Sequence, residues 1–325
     1  MIALFRSKRS AVYKGSSDKA IRHHYDFLGD FYSLALGPEL VYSLALWEEG
    51  DTLESAQLRK LDYHVRAARA EGAGRVLDVG CGWGSLMHRL VETHHVGHVV
   101  GLNVSAAQVA WIRRRGWPQC EVLLENWIDH EPAAPYDAVF SIEVMEHVAG
   151  STIWRARRVA RYRMFFERCR SWLRPGGRLA VQSNVWNERG WLPSMVLPAR
   201  MLTGPGEPSR GGRFGVRDAL GAVRNLREGL HSSRRVFREC FVPTRSELIE
   251  ASRGLFTVVE LRDDAEDGAR TMECWLERCL THRERGAELI GRDAVDDIIR
   301  EQRATLRFMR EHRCTVLRMV LERTA

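Results

Sequence analysis

The chain has 325 residues, 45% of them hydrophobic and 28% charged, which suits a globular protein of one large domain or one domain with a substantial insertion. No apolar run reaches the length of a membrane span, so that class is excluded. The net charge of +7 is an arginine excess, since the only lysines are Lys8, Lys14, Lys19 and Lys60; such a bias needs no ligand, although a basic surface does attract nucleic acid, acidic lipid or phosphorylated substrates.

The N-terminus is basic and its apolar start is too short for a signal-peptide core, so a cytoplasmic protein with a loose lead is expected. Residues 18 to 70 carry apolar positions at helical spacing, broken near Gly37-Pro38 and at Glu49-Gly50-Asp51. Thr52 followed by Glu54, Ser55 and Ala56 reads as a helix start. From Arg75 the pattern changes. Strands are predicted at 75–79, 98–105, 120–126, 136–143 and 178–185, with helices at 85–93, 106–115 and 153–173 between them. Pro175-Gly176-Gly177 stops the last of these helices.

This alternation predicts an α/β fold, a mostly parallel sheet with helices on both faces. Residues 186 to 245 break the rhythm with Gly, Pro and Arg, as a lid or substrate-binding insertion does. A strand follows at 255–264. A mostly helical tail ends in an apolar stretch, 314–323, that reads as a last strand. The expected organisation is an N-terminal helical cover (1–70), a ligand-binding core (71–185), an inserted lid (186–250) and a C-terminal completion of the core (251–325). The seven cysteines lack CxxC pairs and read as thiols; Cys81 alone lies within a motif, where it reads as packing. No metal site is expected.

The stretch VLDVGCGWG (76–84) sets Gly80, Gly82 and Gly84 directly after a strand. In a doubly wound sheet the ligand sits beyond the carboxyl ends of the strands, and glycines let the first turn approach it closely. The spacing differs from GxGxxG and from the phosphate loop, and no lysine is present to hold a phosphate. Asn103, at the end of the second strand, occupies the point where a ribose-reading group belongs.

The chain resembles the cyclopropane-fatty-acid-synthase family of S-adenosylmethionine-dependent methyltransferases, which also contains coclaurine-type N-methyltransferases and prenyl-diphosphate C-methyltransferases. The resemblance is carried by HHYDFLGDFYSLALGPELVYSLALW (23–47), TLESAQLRKLD (52–62), VLDVGCGWG, VVGLNVSAAQ, SIEVMEHV (141–148), LRPGGRLAV and ELRDDAEDGARTMECW (260–275). It implies a class I methyltransferase, Rossmann-like fold and S-adenosyl-L-methionine as cofactor. It implies further that Gly80, Gly82 and Gly84 pass under the methionine and ribose moieties and that Asp78 reaches the amino group. Asn103 and Gln108 would face ribose and adenine, Asn126 and Trp127 would flank adenine, and Tyr42 and Ser43 would reach the carboxylate. Trp83 reads equally as core packing, whereas for Trp127 packing is the lesser alternative.

Methyl transfer from a sulfonium needs alignment and exclusion of water, and an acceptor that loses a proton needs a base. If the turn after the fourth strand is helical, Glu143, Glu146 and His147 share one face. Glu146 is the first candidate for the base and His147 the second; Glu143 could instead hold the cofactor or orient His147.

The departures from the family carry weight. The resemblance implies that cyclopropane synthases hold a bicarbonate to take the proton. Their YSCAY has Cys where this chain has Leu44, a position that could act through its backbone amide. Their strand-five His falls on Val181-Gln182-Ser183, and their His-Tyr pair on Asp267-Gly268. These differences point to a protein carboxylate as the base, or to an acceptor needing no bound anion.

Between Arg189 and Arg245 eleven arginines interleave with Trp191, Phe214 and Phe237, a mixture that suits a solvated loop or an acidic, planar or apolar small molecule. No nucleic-acid-reading module is recognisable, and membrane contact is not favoured. The expected function is methyl transfer to carbon or nitrogen of a small specialised metabolite. The alternatives are cyclopropane formation on an alkene of a lipid or specialised metabolite, and a non-catalytic partner subunit that kept the fold. Oligomeric state stays open.

Overall fold

The computed structural model describes residues 29–150, 153–187 and 240–324. The basic lead and most of the Gly/Pro/Arg-rich insertion, with Trp191, Phe214 and Phe237, lie outside the described residues.

Two helices precede the sheet, α1 (Gly29–Leu36) and α2 (Leu53–Ala67). Thr52 caps α2 through a reciprocal box: its Oγ1 accepts from Ser55 N at 3.3 Å, while Ser55 Oγ accepts from Thr52 N at 3.0 Å. The alternating region follows as β1 (Arg75–Val79), α3 (Ser85–Glu92), β2 (His98–Asn103), α4 (Ala106–Arg115), β3 (Cys120–Leu124), β4 (Tyr136–Ile142), a single turn α5 (Met145–Val148), α6 (Arg155–Trp172) and β5 (Leu173–Trp186). The chain ends with α7 (Arg245–Ser252), β6 (Phe256–Asp263), α8 (Ala265–Thr281), α9 (Arg283–Ile290), α10 (Arg292–Arg310) and β7 (Cys314–Arg323).

The seven strands form one sheet in the order β3-β2-β1-β4-β5-β7-β6. Strands β1 to β5 run parallel, and β7 is antiparallel to both of its neighbours. The last strand therefore enters between β5 and β6 rather than closing an edge.

Side chains along a strand point alternately to the two faces, and a parallel sheet buries both. Leu77, Val79, Val139 and Leu179 pack with Tyr162, Phe165 and Phe166 of α6. Val76, Ala138, Phe140 and Ala180 pack instead with Leu61 and Val65 of α2, Met87 and Leu90 of α3, and Ile112 of α4. A third cluster joins Tyr32 and Leu36 of α1 to Met272 and Trp275 of α8, with Leu44 and Val316 between them. The segment at 40–46 is thereby clamped over the carboxyl ends of the strands. Among the described residues no helix is long and apolar enough to cross a membrane.

At the start of β5 the backbone is tightly closed. A Cβ on Gly177 would lie 2.9 Å from the carbonyl oxygens of both Arg174 and Asp137. Because backbone must move to admit it, Gly177→Ala is expected to lower stability by about 1–3 kcal/mol in urea unfolding. An unchanged midpoint would show that this corner yields freely.

Candidate active site

The turn after β1 is tied to the end of β2, where Leu102 O accepts from Gly80 N at 2.9 Å and Cys81 N at 3.1 Å. Gly80 and Gly82 adopt φ of 75° and 52°, in the left-handed region that glycine alone enters without strain. At Gly80 a Cβ would lie 2.5 Å from Val144 Cγ2, so this glycine admits the loop that follows β4. At Gly82 a Cβ would meet nothing within 4 Å, because the bare backbone faces open space.

That space is a cleft with about 1080 Å³ of empty volume, its solvent mouth included. Of the expected site residues, Tyr42, Ser43, Asp78, Gly80, Gly82, Asn103, Gln108, Asn126, Trp127, Glu143 and His147 line it. Gly84 and Glu146 do not. The missing side chain of Gly84 makes room for Trp117 Cζ3 and Ile112 Cγ1, 2.9 Å and 3.0 Å from where a Cβ would sit. This glycine lets the start of α3 pack against Ile112 of α4 and the following Trp117.

Asp78 is only 3% exposed, and its carboxylate accepts no hydrogen bond among the described residues. Burial pushes it up to about 7, against the pull of Lys60. Asn103 braces the turn: Nδ2 donates to Gly82 O at 3.0 Å and Gln108 Oε1 at 3.1 Å, while Oδ1 accepts from Ser105 N at 2.9 Å. Among the described residues Gln108 Nε2 has no hydrogen-bond acceptor, whereas the Asn103 amide is engaged. Trp127 lines the cleft and meets Phe165 edge-on, with ring centroids 5.1 Å apart. Asn126 Oδ1 caps the Trp127 turn by accepting from Ile128 N at 3.2 Å.

Opposite the turn, Tyr42 packs between Tyr32 and Trp275, at centroid distances of 4.7 Å and 5.4 Å. Ser43 Oγ accepts from Lys60 Nζ at 2.6 Å. Lys60, which the motif reading passes over, is wholly buried and lines the cleft; burial pulls it down to about 7, with Glu143 and Asp78 opposing.

The motif after β4 departs from the expected single face. Only Met145–Val148 is helical, and Glu143 precedes that turn with φ of 55°, so three side chains take three directions. Glu143 Oε1 accepts from Leu44 N at 2.7 Å and Gln182 Nε2 at 2.9 Å. Glu146 Oε1 accepts from Asn184 N at 2.6 Å, its Oε2 is buried without a partner, and burial raises it to about 8. His147 Nδ1 lies 3.1 Å from Cys240 Sγ, and burial lowers it to about 4.

Beneath Glu143 lies a hub that sequence reasoning did not find. Gln182 Oε1 accepts from Arg318 Nε at 3.0 Å and faces His64 Nε2 at 3.1 Å, while Nε2 also donates to Leu44 O at 2.8 Å. Arg318, fully buried, donates further to Ala45 O at 2.7 Å and pairs with Asp264. A hydrophobic strand reading of β7 gives no cue that one of its arginines points inward.

The model of the mycolic acid cyclopropane synthetase family matches residues 13–301. The chain belongs to this family. It is 35% identical over 179 residues to hydroxymycolate synthase MmaA4 of Mycobacterium tuberculosis, covering 51% of this chain and 53% of that protein. The chain thus spans about half the length of that curated relative. The solved cyclopropane synthase MmaA2 from Mycobacterium tuberculosis superposes with a TM-score of 0.77 at 25% identity, covering 95% of this chain and 99% of that one. Mycolic acid cyclopropane synthase CmaA1, solved with SAH and CTAB, superposes with a TM-score of 0.78 at 22% identity, again over 95% and 99%. The fold is the Rossmann-like class I methyltransferase fold, and the family's cofactor is S-adenosylmethionine.

The cleft fits that cofactor: among the described residues the buried Asp78 carboxylate has no hydrogen-bond donor, and it lines the cleft with a glycine whose Cβ would meet nothing within 4 Å. A bound bicarbonate does not fit. The three family departures meet in one place, with Gln182 Nε2 on Leu44 O and Leu44 Cδ1 3.4 Å from where a Gly268 Cβ would sit. Val316 Cγ2 and Met309 Sδ crowd that same point at 2.9 Å and 3.0 Å, leaving no room for a tyrosine. The Leu44 and Gln182 donors are already taken by Glu143.

Proposed function

We propose that this protein moves the methyl group of S-adenosylmethionine to a carbon or nitrogen of a small specialised metabolite. The observation that carries the reading is the Asp78 carboxylate, buried in the cleft lining beside the glycine turn without a hydrogen-bond donor among the described residues, and so suited to a cationic amino group. The cofactor supplies, when bound, an electrophilic methyl carbon on a sulfonium. Gly80 and Gly82 clear the approach, Gln108 offers an amide donor, and Trp127 offers an apolar face. Tyr42 and Ser43 close the cleft from the other side, with Lys60 holding the Ser43 hydroxyl. The segment at 40–46 keeps water from the reacting centre, which such a displacement requires.

Cyclopropane formation on a lipid alkene is the second reading, and the names of the relatives favour it. The filled anion seat favours the first. Incubating the protein and a small-molecule extract with isotopically labelled S-adenosylmethionine separates the two. Label is expected in a product whose NMR spectrum lacks ring methylene protons. Label confined to lipid that shows those protons would replace the first reading with the second. No label, together with no calorimetric binding of S-adenosylhomocysteine, would leave a non-catalytic partner subunit.

A further inference from the structure

Glu143 directly follows β4 with φ of 55°, in the left-handed region that a residue bearing a side chain enters only under strain. Strain of this kind persists where the surroundings over-determine it, and it gathers at functional sites. Here the backbone N–H of Glu143 donates to Gln182 O at 2.7 Å, which fixes the residue against β5.

The side chain enters a seat made by two donors that are themselves fixed. The Leu44 N–H belongs to the segment clamped over the strand ends. The Gln182 amide cannot turn round, because its oxygen already receives Arg318 Nε and its nitrogen already reaches the Leu44 carbonyl. Both donors converge on Glu143 Oε1. Lys60 and Arg318 add positive potential around the same group. A pair of preset donors in a positive field is what a small oxyanion would occupy. The other oxygen, Oε2, has no hydrogen-bond partner among the described residues, and Glu143 lines the cleft.

We infer that the Glu143 carboxylate is a built-in replacement for a small bound oxyanion: Oε1 is held in the seat, and Oε2 takes the proton that leaves the methylated substrate. The proton-transfer role rests on the methyltransferase reading above. In that step an O–H bond forms at Oε2 as a C–H or N–H bond of the substrate breaks. The bonding pair stays with the substrate, where it neutralises the positive charge left by methylation. Glu146 is less suited, since it lies off the cleft with Oε1 on Asn184 N.

The test uses the full-length protein, Glu143→Gly and Glu143→Gln. Glycine accepts the left-handed backbone without strain and empties the seat; glutamine keeps the seat filled but cannot accept a proton. Formate is expected to raise the melting temperature of Glu143→Gly in a thermal scan and to leave the wild type and Glu143→Gln unmoved. Calorimetric affinity for S-adenosylhomocysteine should stay close to wild type in both variants. Turnover should fall by about 100-fold or more in both, the range for loss of a general base. Formate should recover a large part of it in Glu143→Gly alone.

Glu143→Gln turning over near the wild-type rate would overturn the role, and so would a Glu143→Gly protein whose melting temperature ignores formate. Wild type that fails to bind S-adenosylhomocysteine would overturn the methyltransferase reading and with it the proton transfer. The formate shift reports on the seat independently of either.

Discussion

Gly82→Val is expected to weaken S-adenosylhomocysteine binding by about 100-fold or more, roughly 2.7 kcal/mol, while leaving the protein folded. The two effects of the substitution separate cleanly. Valine at φ of 52° strains the turn by about 1–2 kcal/mol, a tolerable loss for a domain of this size. Among the described residues a Cβ there meets no atom within 4 Å beyond its chain neighbours, and Gly82 lines the cleft, so the added volume falls in the cleft.

Gly80→Val is the contrasting case. Its Cβ would sit 2.5 Å from Val144 Cγ2 and would displace the loop carrying Glu143, so stability and binding should fall together. Calorimetry with S-adenosylhomocysteine beside a thermal scan reads both quantities. Wild-type affinity in folded Gly82→Val would remove the glycine turn from the cofactor site.

Much of the core was legible because its signals are local. The β1 strand and its glycine turn are contiguous in sequence, and the Thr52 start of α2 depends on residues three apart. What escaped depends on partners far along the chain. The pairing of Gln182 with Arg318 joins β5 to β7 across 136 residues, and no periodicity announces such a register. The expected shared face of Glu143, Glu146 and His147 failed because α5 begins only at Met145. A helical wheel has no means of anticipating a left-handed residue just before a helix. Lys60 did leave a trace. It is the single lysine after residue 19, and it is wholly buried. A compact ammonium, unlike a guanidinium fork, reaches the Ser43 hydroxyl while feeling the charges of Glu143 and Asp78.

Arg318→Met is expected to cost about 3–5 kcal/mol of stability, the range for removing one partner of a buried ion pair. Methionine keeps most of the volume, so the loss would come from polar groups stranded in the core. Gln182 Oε1, the Ala45 carbonyl and the Asp264 carboxylate each lose a donor. At roughly 2–4 °C per kcal/mol for a domain of comparable size, the melting temperature should drop by about 10 °C.

Lysine should recover little of this, because one ammonium cannot serve three acceptors in the plane that the guanidinium spans. The exposed pair of Arg292 with Glu284, at 2.7 Å but with side chains 56% and 72% exposed, supplies the control: Arg292→Met should leave the melting temperature close to wild type. The hub also holds the Gln182 amide in the orientation that seats Glu143, so Arg318→Met should lose turnover beyond what unfolding accounts for when assayed well below its melting temperature. A loss of stability no greater than that of Arg292→Met would show that the strand pairing, and not this arginine, fixes the floor of the cleft.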